Sequence, residues 1–472
     1  MRQITRYLGF LFIISAFFRI IPVVTGLIYN ESIFIFLISA GLSVIIGLIL
    51  IFLSKKKKKH EYITIGGGFI LAAISFILLP VVGAISFLNA FDYNFFNAYF
   101  ESVSGFTTTG LTLFNSLDEL PRSLLIWRAE TQWLGGVGII MFFLFLVSYF
   151  SNVGNKDKGE VNVNQNSMVL YKSQGFDQKL EGSFKSTLTN IVIIYLGYTL
   201  VGIIALYLSG IDIFRAVCLT FTSLSTGGFS VTDNFEISNL TLIILSILMI
   251  LGSISFISHN QLFRKKIKEF VMEYEKNVLL ILILGFAIIS LFFVQDLRMA
   301  FFEIISAITT TGYSLSEISM LPQIMIFLIF IAMMIGGSSS STSGGIKVKR
   351  FYTLVRSIPW FMRKKTSPTN AIIPFNIHGN EVSEEKLEST AIFAFVYFFI
   401  LLIGTIVFML FGYGFLDSAF QLVSALGTVG LQTMDLMGLN ALLKLVLILA
   451  MIFGRLEIFP LLLVLRKIFI KK

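Results

Sequence analysis

The chain has 472 residues, of which 56% are hydrophobic and only 13% are charged, and its mean hydropathy is +0.87. Because soluble domains carry roughly 25% charged residues, this composition excludes a soluble globular protein and indicates several membrane spans. The formal charge of +9 does not indicate a nucleic-acid partner, since most of the basic residues lie in connections between apolar segments.

Ten apolar segments approach the roughly 20 residues that a helix needs to cross the bilayer core. In chain order they lie at 8–29, 33–53, 62–88, 124–149, 187–209, 239–262, 277–295, 323–361 (interrupted), 390–412 and 440–465. Alternate connections and the two termini carry 29 of the 36 lysines and arginines, including the run Lys55 to Lys59. The positive-inside rule therefore predicts a multi-pass protein of the cytoplasmic membrane with both termini in the cytoplasm. The lysine run is expected to lie against anionic membrane lipid.

The side chains that enzyme chemistry needs are sparse. Cys218 is the only cysteine, and the three histidines are scattered along the sequence. This pattern predicts no disulfide framework, no thiolate cluster and no paired-histidine metal motif. The glycine-rich run 135–138 lies within a span and follows no strand, so it indicates helix packing and not a dinucleotide loop. We therefore expect neither an enzyme nor a catalytic cofactor.

Four shorter apolar segments each follow a break that contains Asp or Gly and precede a polar stretch that contains glycine. They lie near 95–104, 213–224, 298–308 and 416–426. A helix of about ten residues is only about 15 Å long, half the thickness of a bilayer core. Irregular backbone at membrane depth is tolerated only where protein buries it or water lines it. The pattern predicts four re-entrant pore helices, each followed by a loop, around a shared aqueous cavity.

The four polar stretches align with one another as an internal repeat, in which glycine comes last and threonine stands two residues earlier. A threonine-rich run ending in glycine offers backbone carbonyls and a hydroxyl, the oxygen ligands that replace the hydration shell of a potassium ion. The candidate K+ ligands are Thr107, Thr108, Thr109 and Gly110; Ser225, Thr226, Gly227 and Gly228; Thr309, Thr310, Thr311 and Gly312; and Gly427, Thr428, Val429 and Gly430.

The repeating unit is a span, a pore helix, a filter and a second span, used four times in the same orientation. The predicted fold is an all-α membrane protein, with a two-helix unit at 1–60 and pore repeats at 61–186, 187–276, 277–389 and 390–472 around a pseudo-fourfold pore. Glycine suits the point where the four filters meet, because it adopts backbone angles that other residues avoid. The partly negative C-terminal ends of the pore helices would favour a cation there.

The eighth span is interrupted by a run in which residues 336–345 are only Gly, Ser and Thr. Such a run is a poor helix interior, since each glycine costs roughly 1 kcal/mol relative to alanine. We expect an unwound intramembrane loop below the filter that obstructs the pore and moves to open it, with Gly336, Gly337, Gly344 and Gly345 as candidate gating residues. The alternative is close helix packing through small residues.

Arg455 lies 15 residues into the last span, about 22 Å from its outer end. A cation in mid-span costs at least ~2.5–3.5 kcal/mol unless it faces water or a partner. Glu457 is a poor partner, because residues two apart do not share a helix face. We therefore expect Arg455 to face the pore and to limit ion flux.

Taken together, these motifs resemble the membrane subunit of the Trk/Ktr superfamily of potassium transporters, and more closely its Trk branch. The resemblance covers essentially the whole chain and includes, besides the filters, the segments 127–128, 132–138, 336–348 and 453–457. It implies potassium uptake, gating by the 336–345 loop together with Lys347, and a flux barrier at Arg455. It also implies a homodimer with one pore per subunit and a cytoplasmic ring of nucleotide-binding regulatory subunits.

Two alternatives stay open. One is a sodium-coupled or sodium-permeable cation transporter of the same architecture, and the other is a secondary transporter of another small solute. The second would need a midplane substrate pocket at repeat interfaces, and four filter loops in parallel register argue against it. Because Gly110 ends the first loop, potassium is favoured over sodium as the transported ion. Members of the resembling family with serine in the first loop tend to pass sodium.

Overall fold

The structure is a computed structural model that describes residues 2–54, 65–138, 184–233, 237–294, 296–368, 371 and 373–462. These residues are almost entirely helical, and they include one short antiparallel strand pair, β1 (Asn376–Ile377) and β2 (Asn380–Glu381). The predicted all-α membrane fold is confirmed. The run Lys55 to Lys59 and most of the connection at 151–186 lie outside the described residues.

Two N-terminal helical segments precede the repeats and pack against each other. Helices α1 (Arg2–Phe18) and α2 (Ile20–Ile28) are separated at Arg19 and lie beside α3 (Phe34–Leu53). Close approach of α1 to α3 requires glycine, because a Cβ on Gly9 would lie 2.7 Å from the carbonyl oxygen of Gly47. Arg19 is buried, donates to the Ser15 hydroxyl at 2.9 Å and stacks 4.7 Å from the ring centroid of Trp127. This side chain therefore joins the N-terminal unit to the first repeat.

The helices that follow repeat the same order four times. The first two repeats contain α4 (Ile65–Ile85), α5 (Phe95–Phe106), α6 (122–138), then α7 (Phe184–Leu208), α8 (Ile213–Leu224), α9 (Asn239–Ser253), α10 (Phe256–Phe263) and α11 (Ile267–Met272). The last two contain α12 (Tyr274–Ser290), α13 (Leu297–Ile308), α14 (Gln323–Ile335), α15 (Val348–Thr366), then α16 (Glu384–Leu410), α17 (Phe415–Leu426) and α18 (Ala441–Arg455).

The four pore helices α5, α8, α13 and α17 each have 12 residues. At 1.5 Å per residue each is about 18 Å long, too short to cross a membrane, as the sequence predicts. The side chains of Asn94, Asp212 and Asp296 accept backbone N–H bonds at the starts of the first three. A capping side chain of this kind satisfies the free N–H groups at a helix start. The fourth begins after Gly414 and carries Asp417 in its first turn.

Among the described residues, five helical segments are long and apolar enough to span a membrane unaided: 2–28, 34–53, 67–85, 189–208 and 384–410. Their outward faces expose large apolar side chains such as Phe34, Leu200 and Phe395, as lipid contact requires. The pore helices are instead packed into the protein interior, where Phe100, Leu219, Phe302 and Phe420 are almost fully buried. The buried core thus surrounds the pore helices.

The apolar segment predicted at 239–262 is not one straight helix. Helix α9 ends at Ser253, and α10 leaves it at an angle of 100°. The bend frees backbone groups between Gly252 and Phe256, and these are bonded to residues 338–342 of a distant loop. Because the partners come from that loop, the local sequence gives little sign of the break.

Candidate ion pathway

The four stretches that follow the pore helices share one unusual backbone conformation. Left-handed φ values recur at Thr108 (53°), Thr226 (53°), Thr310 (58°) and Thr428 (51°), and again at Gly110 (85°), Gly228 (75°), Gly312 (88°) and Gly430 (98°). A β-branched residue with positive φ is a genuine outlier. Each costs on the order of 1–3 kcal/mol and persists only where the surrounding structure enforces it. The same outlier in all four stretches shows that the surrounding structure enforces one conformation on each of them.

Two hydrogen bonds to each pore helix enforce this conformation. The N–H of the residue after each threonine donates to a carbonyl five residues earlier, as in Thr109 to Ser104 (2.9 Å) and Val429 to Ser424 (2.8 Å). The N–H of each threonine itself donates three residues back. This is the Schellman ending of a helix, with threonine where glycine is usual. Each stretch therefore begins directly at the partly negative end of its pore helix.

The last glycines of the four stretches meet in a closed ring. A Cβ on each would overlap a carbonyl oxygen of the next repeat: Gly110 with Gly227, Gly228 with Thr311, Gly312 with Val429, and Gly430 with Thr109. The order runs from the first repeat to the fourth and back to the first. Only glycine fits at these four positions, because both the positive φ and the close approach exclude a side chain.

The side chains of the four stretches are less symmetric than their backbones. The hydroxyls of Thr107 and Thr109 are hydrogen-bonded at 2.8 Å, and those of Thr309 and Thr311 repeat this contact at 2.8 Å. The second stretch cannot form it, since its third residue is Gly227, and the fourth has Gly427 and Val429 at the two positions. Ser225, the first residue of the second stretch, is fully buried at the end of its pore helix.

A cavity of about 950 Å³ opens on one side of the glycine ring and is lined by all four final glycines. Asp233, Glu317 and Asp435 also line it, together with Arg128. Asp233 accepts from the backbone N–H of Leu117 at 2.6 Å and so joins the first repeat to the second. Acidic side chains around a cleft raise the local concentration of cations.

Buried carboxylates support the segments just beyond two of the filters. Glu101 pairs with Arg128 at 3.0 Å and accepts from the N–H of Leu113 at 3.1 Å. Glu303 occupies the matching place in the third repeat and accepts from the N–H of Leu315 at 2.7 Å. These two acids were not singled out from the sequence alone. The sequence does carry a sign of this role, because each acid stands seven residues before the threonine with positive φ.

A non-helical loop lies on the opposite side of the ring. It joins α14, which ends at Ile335, to α15, which begins at Val348. Gly336 and Gly345 both have positive φ and pack together, since a Cβ on Gly345 would lie 2.8 Å from the Cα of Gly336. Gly337 is enclosed in the same way by Ser343. The structure therefore places these candidate gating glycines at the base of one closed loop.

The loop is bonded to the bend between α9 and α10. The N–H of Ser338 donates to the carbonyl of Ser253 at 2.9 Å, and the N–H of Phe256 donates to the carbonyl of Ser340 at 3.1 Å. A third bond of 3.2 Å joins Thr342 N–H to the carbonyl of Gly252. The bend in the second repeat and the loop in the third thus form one structural unit, which sequence reasoning missed.

The loop also touches the inner side of the filter stretches. The N–H of Gly344 donates to the Thr310 hydroxyl at 2.8 Å, and a Cβ on Gly344 would overlap the hydroxyl of Thr428. The Thr226 hydroxyl bonds to that of Thr342 at 3.2 Å. The buried hydroxyls of Thr108 and Thr428 have no hydrogen-bond partner among the described residues.

Arg455 lies beside this loop and is only 4% exposed. Its guanidinium donates to the carbonyl of Thr342 at 2.5 Å and to the carbonyl of Gly135 on α6 at 2.6 Å. Glu457 does not pair with it, because that carboxylate is bound to Arg350 at 2.6 Å. Arg455 therefore connects the loop of the third repeat to a helix of the first.

Two further charged side chains hold the loop from its other end. Lys347, with φ of 80°, donates from Nζ to the carbonyl of Ser343. Glu275, near the start of α12, accepts from the N–H of Ser339 at 2.9 Å and pairs with Lys349 at 3.4 Å. Sequence reasoning missed Glu275, because nothing in its local sequence connects it to a loop 64 residues away.

Comparisons with known proteins agree with this architecture. A family model described as "TrkH: Cation transport protein" matches residues 35–471. An uncharacterized cation transporter of Methanocaldococcus jannaschii is 29% identical, covering 99% of this chain and 96% of that protein. The Trk system potassium uptake protein TrkH of Escherichia coli K12 is 28% identical, with 98% and 97% covered.

Solved structures also include a similar fold. The crystal structure of the potassium transporter TrkH from Vibrio parahaemolyticus matches with a TM-score of 0.83 at 24% identity, covering 100% of this chain and 99% of that one. The arrangement of repeats is therefore shared over the full described chain. On the extent of the family match, the chain belongs to the TrkH family of cation transport proteins.

Proposed function

We propose that this protein carries potassium ions into the cell across the cytoplasmic membrane. The observation that supports this most directly is the closed ring of four stretches with the same left-handed threonine and glycine. Such a ring brings backbone carbonyls from four repeats to one axis, where they can replace the hydration shell of a potassium ion. The hydroxyls of Thr108 and Thr428, which are buried without a partner among the described residues, are further oxygen ligands.

The relatives support potassium as the ion. TrkH and TrkG of Escherichia coli are both named as Trk system potassium uptake proteins and are each 28% identical to this chain. In the proposal the sixteen residues 107–110, 225–228, 309–312 and 427–430 form the filter. The acidic residues of the outer cavity supply ions to it.

The proposed gate is the loop at 336–345 together with Lys347 and Arg455. Gly344 lies against Thr310 and Thr428 at the inner side of the filter, so the loop closes the pathway in this conformation. Arg455 adds a positive charge beside the loop and binds it through Thr342. Opening requires that the loop leave the bend at Ser253 and release its contact with Arg455.

We further propose that both termini face the cytoplasm, and that the protein works as a homodimer on a cytoplasmic ring of nucleotide-binding regulatory subunits. The predominance of lysine and arginine in alternate connections supports the orientation of the termini. The homodimer and the ring are what the resemblance to the Trk/Ktr superfamily implies. Helix α15 begins directly after the loop, and its far end, which carries the exposed Arg363, Lys364 and Lys365, belongs to that side. Movement of α15 by a partner would therefore pull on the proposed gate.

The test is ion flux into proteoliposomes that contain the purified chain. We expect uptake of radioactive rubidium, as a substitute for potassium, down an imposed potassium gradient, and much weaker uptake of radioactive sodium under matched conditions. Measurement with and without sodium or proton gradients distinguishes uncoupled flux from symport. Absence of rubidium uptake by both the wild type and Arg455→Ala, or equal uptake of sodium, would contradict the proposal.

A further inference from the structure

At the third position of the four filters, one repeat has no side chain. It holds Thr109, Thr311 and Val429 in three repeats and Gly227 in the second. Gly227 is not among the residues with positive φ, so its backbone conformation does not require glycine. Some other feature must explain why this position has no side chain.

The missing side chain is replaced by Gln132 from α6. A Cβ on Gly227 would meet Cδ, Oε1 and Cγ of Gln132, which are the three nearest atoms to that point. The Gln132 amide donates from Nε2 to the carbonyl of Gly227 at 2.7 Å and accepts at Oε1 from the N–H of Phe229 at 3.0 Å. Gln132 is fully buried. It therefore holds the second filter from behind with two hydrogen bonds.

The other repeats have methionine where the first has Gln132. Each of these residues stands three positions before a glycine of the second span, and the set is Gln132, Met249, Met333 and Met451. The three methionines are fully buried. Met333 of the third repeat lies next to the fourth filter, because its carbonyl would be 3.1 Å from a Cβ on Gly427. The one glutamine in this set thus packs against the one filter whose third residue has no side chain.

The carbonyl that Gln132 binds is also part of the glycine ring. Gly227 contributes the oxygen that lies against Gly110, so its orientation affects the contact between the first and second repeats. A hydrogen bond to a carbonyl fixes its direction and polarises the C=O group. We infer that Gln132 is a positioning residue that sets ion selectivity by fixing the Gly227 carbonyl, an inference that rests on the proposed filter function.

The inference predicts reciprocal effects of two substitutions. Gln132→Met introduces the residue that the other repeats already accommodate, but it removes both hydrogen bonds. We expect the ratio of rubidium to sodium uptake in proteoliposomes to fall roughly tenfold, as the loss of two bonds of about 0.5–1.5 kcal/mol each implies. Gly227→Thr alone should abolish flux, because its Cβ overlaps Gln132. The double variant should recover flux, because the clash with Gln132 is removed, and it should keep the lowered uptake ratio of Gln132→Met.

The control is Gln261→Met, which makes the same chemical change on α10, and it should keep the wild-type uptake ratio. Thermal stability in detergent shows whether each variant is folded. An unchanged ratio in Gln132→Met contradicts the inference, and so does a double variant that neither folds nor transports better than Gly227→Thr. Failure of both the wild type and Arg455→Ala to take up rubidium would contradict the proposed function instead, so the two failures are distinguishable.

Discussion

Threonine at a left-handed position is the residue-scale feature that repeats most faithfully around the ring. Glycine would adopt this conformation without strain, so the use of threonine at all four sites calls for a reason in its hydroxyl. In two repeats the hydroxyl contacts the loop, through Gly344 and Thr342, and in two it is buried without a partner among the described residues. In the proposed filter, the four hydroxyls would be available to bind an ion once the proposed gate had moved.

Gly110→Ser should lower the ratio of potassium to sodium uptake at least tenfold. Its φ is 85°, and a Cβ there would overlap the carbonyl of Gly227, so the ring must widen or distort. Left-handed backbone alone costs roughly 1–2 kcal/mol for a residue with a side chain. The measurement is rubidium against sodium uptake in proteoliposomes.

Gly210→Ser provides the matched control for that substitution. Its φ of 97° imposes a similar backbone strain, but a Cβ there meets no atom within 4 Å. The control should therefore lose some stability and keep its ion preference. If both variants shifted the uptake ratio equally, the ring contact would not be the cause.

Arg455→Ala should increase rubidium uptake several-fold. The substitution removes a positive charge and two hydrogen bonds that join Thr342 of the loop to Gly135 of α6. Arg455→Lys keeps the positive charge, but lysine lacks the planar guanidinium that donates to both carbonyls. Its uptake should therefore lie between those of the wild type and the alanine variant. Uptake equal to wild type in Arg455→Ala would argue against a barrier at this residue.

At the scale of elements, the loop and the bent helix of the second repeat depend on each other. The loop contains few hydrogen bonds of its own, because its backbone groups are bonded to Gly252, Ser253 and Phe256. The bend in turn needs the loop, since an interruption of 100° leaves buried N–H and C=O groups that must find partners. Displacing the loop therefore exposes backbone groups in both repeats, and water in an open pathway can satisfy them.

Gly344→Ala should displace the loop from the filter and increase uptake. A Cβ on Gly344 would overlap both the carbonyl of Gly427 and the hydroxyl of Thr428, so the closed conformation is destabilised. Gly197→Ala on α7 is the control, because a Cβ there meets no atom within 4 Å. Rubidium uptake measures the effect. Reduced uptake in a folded Gly344→Ala protein would contradict closure by this loop.

At the scale of the whole molecule, the orientation in the membrane can be tested with introduced cysteines. The native Cys218 is buried and should not react, so the background is low. Asp118 and Lys268 are both exposed and belong to connections that we place on opposite sides. A membrane-impermeant maleimide added to intact cells should label Asp118→Cys and leave Lys268→Cys unlabelled. The reverse pattern would invert the proposed topology.

The sequence predicted the elements that are defined by local composition. The four pore helices were located within a few residues, because each combines an apolar run of half-bilayer length with a preceding break that contains Asp or Gly, such as Asp212 and Gly414. The interruption predicted at 336–345 was equally visible in its glycine and serine content, and in the structure it extends to residue 347. Contacts that join distant repeats were not predicted, as with Glu275 and the loop, since a single sequence carries no record of which buried groups meet.

The direction of the glycine ring has a consequence for how the protein is made. Three of its contacts join repeats that are neighbours along the chain, whereas the contact of Gly430 with Thr109 joins the last repeat to the first. A nascent chain therefore holds three quarters of a coordination shell until its final pore helix has entered the membrane. As the proposed filter, the ring of an unfinished chain would therefore offer no complete site for a dehydrated ion.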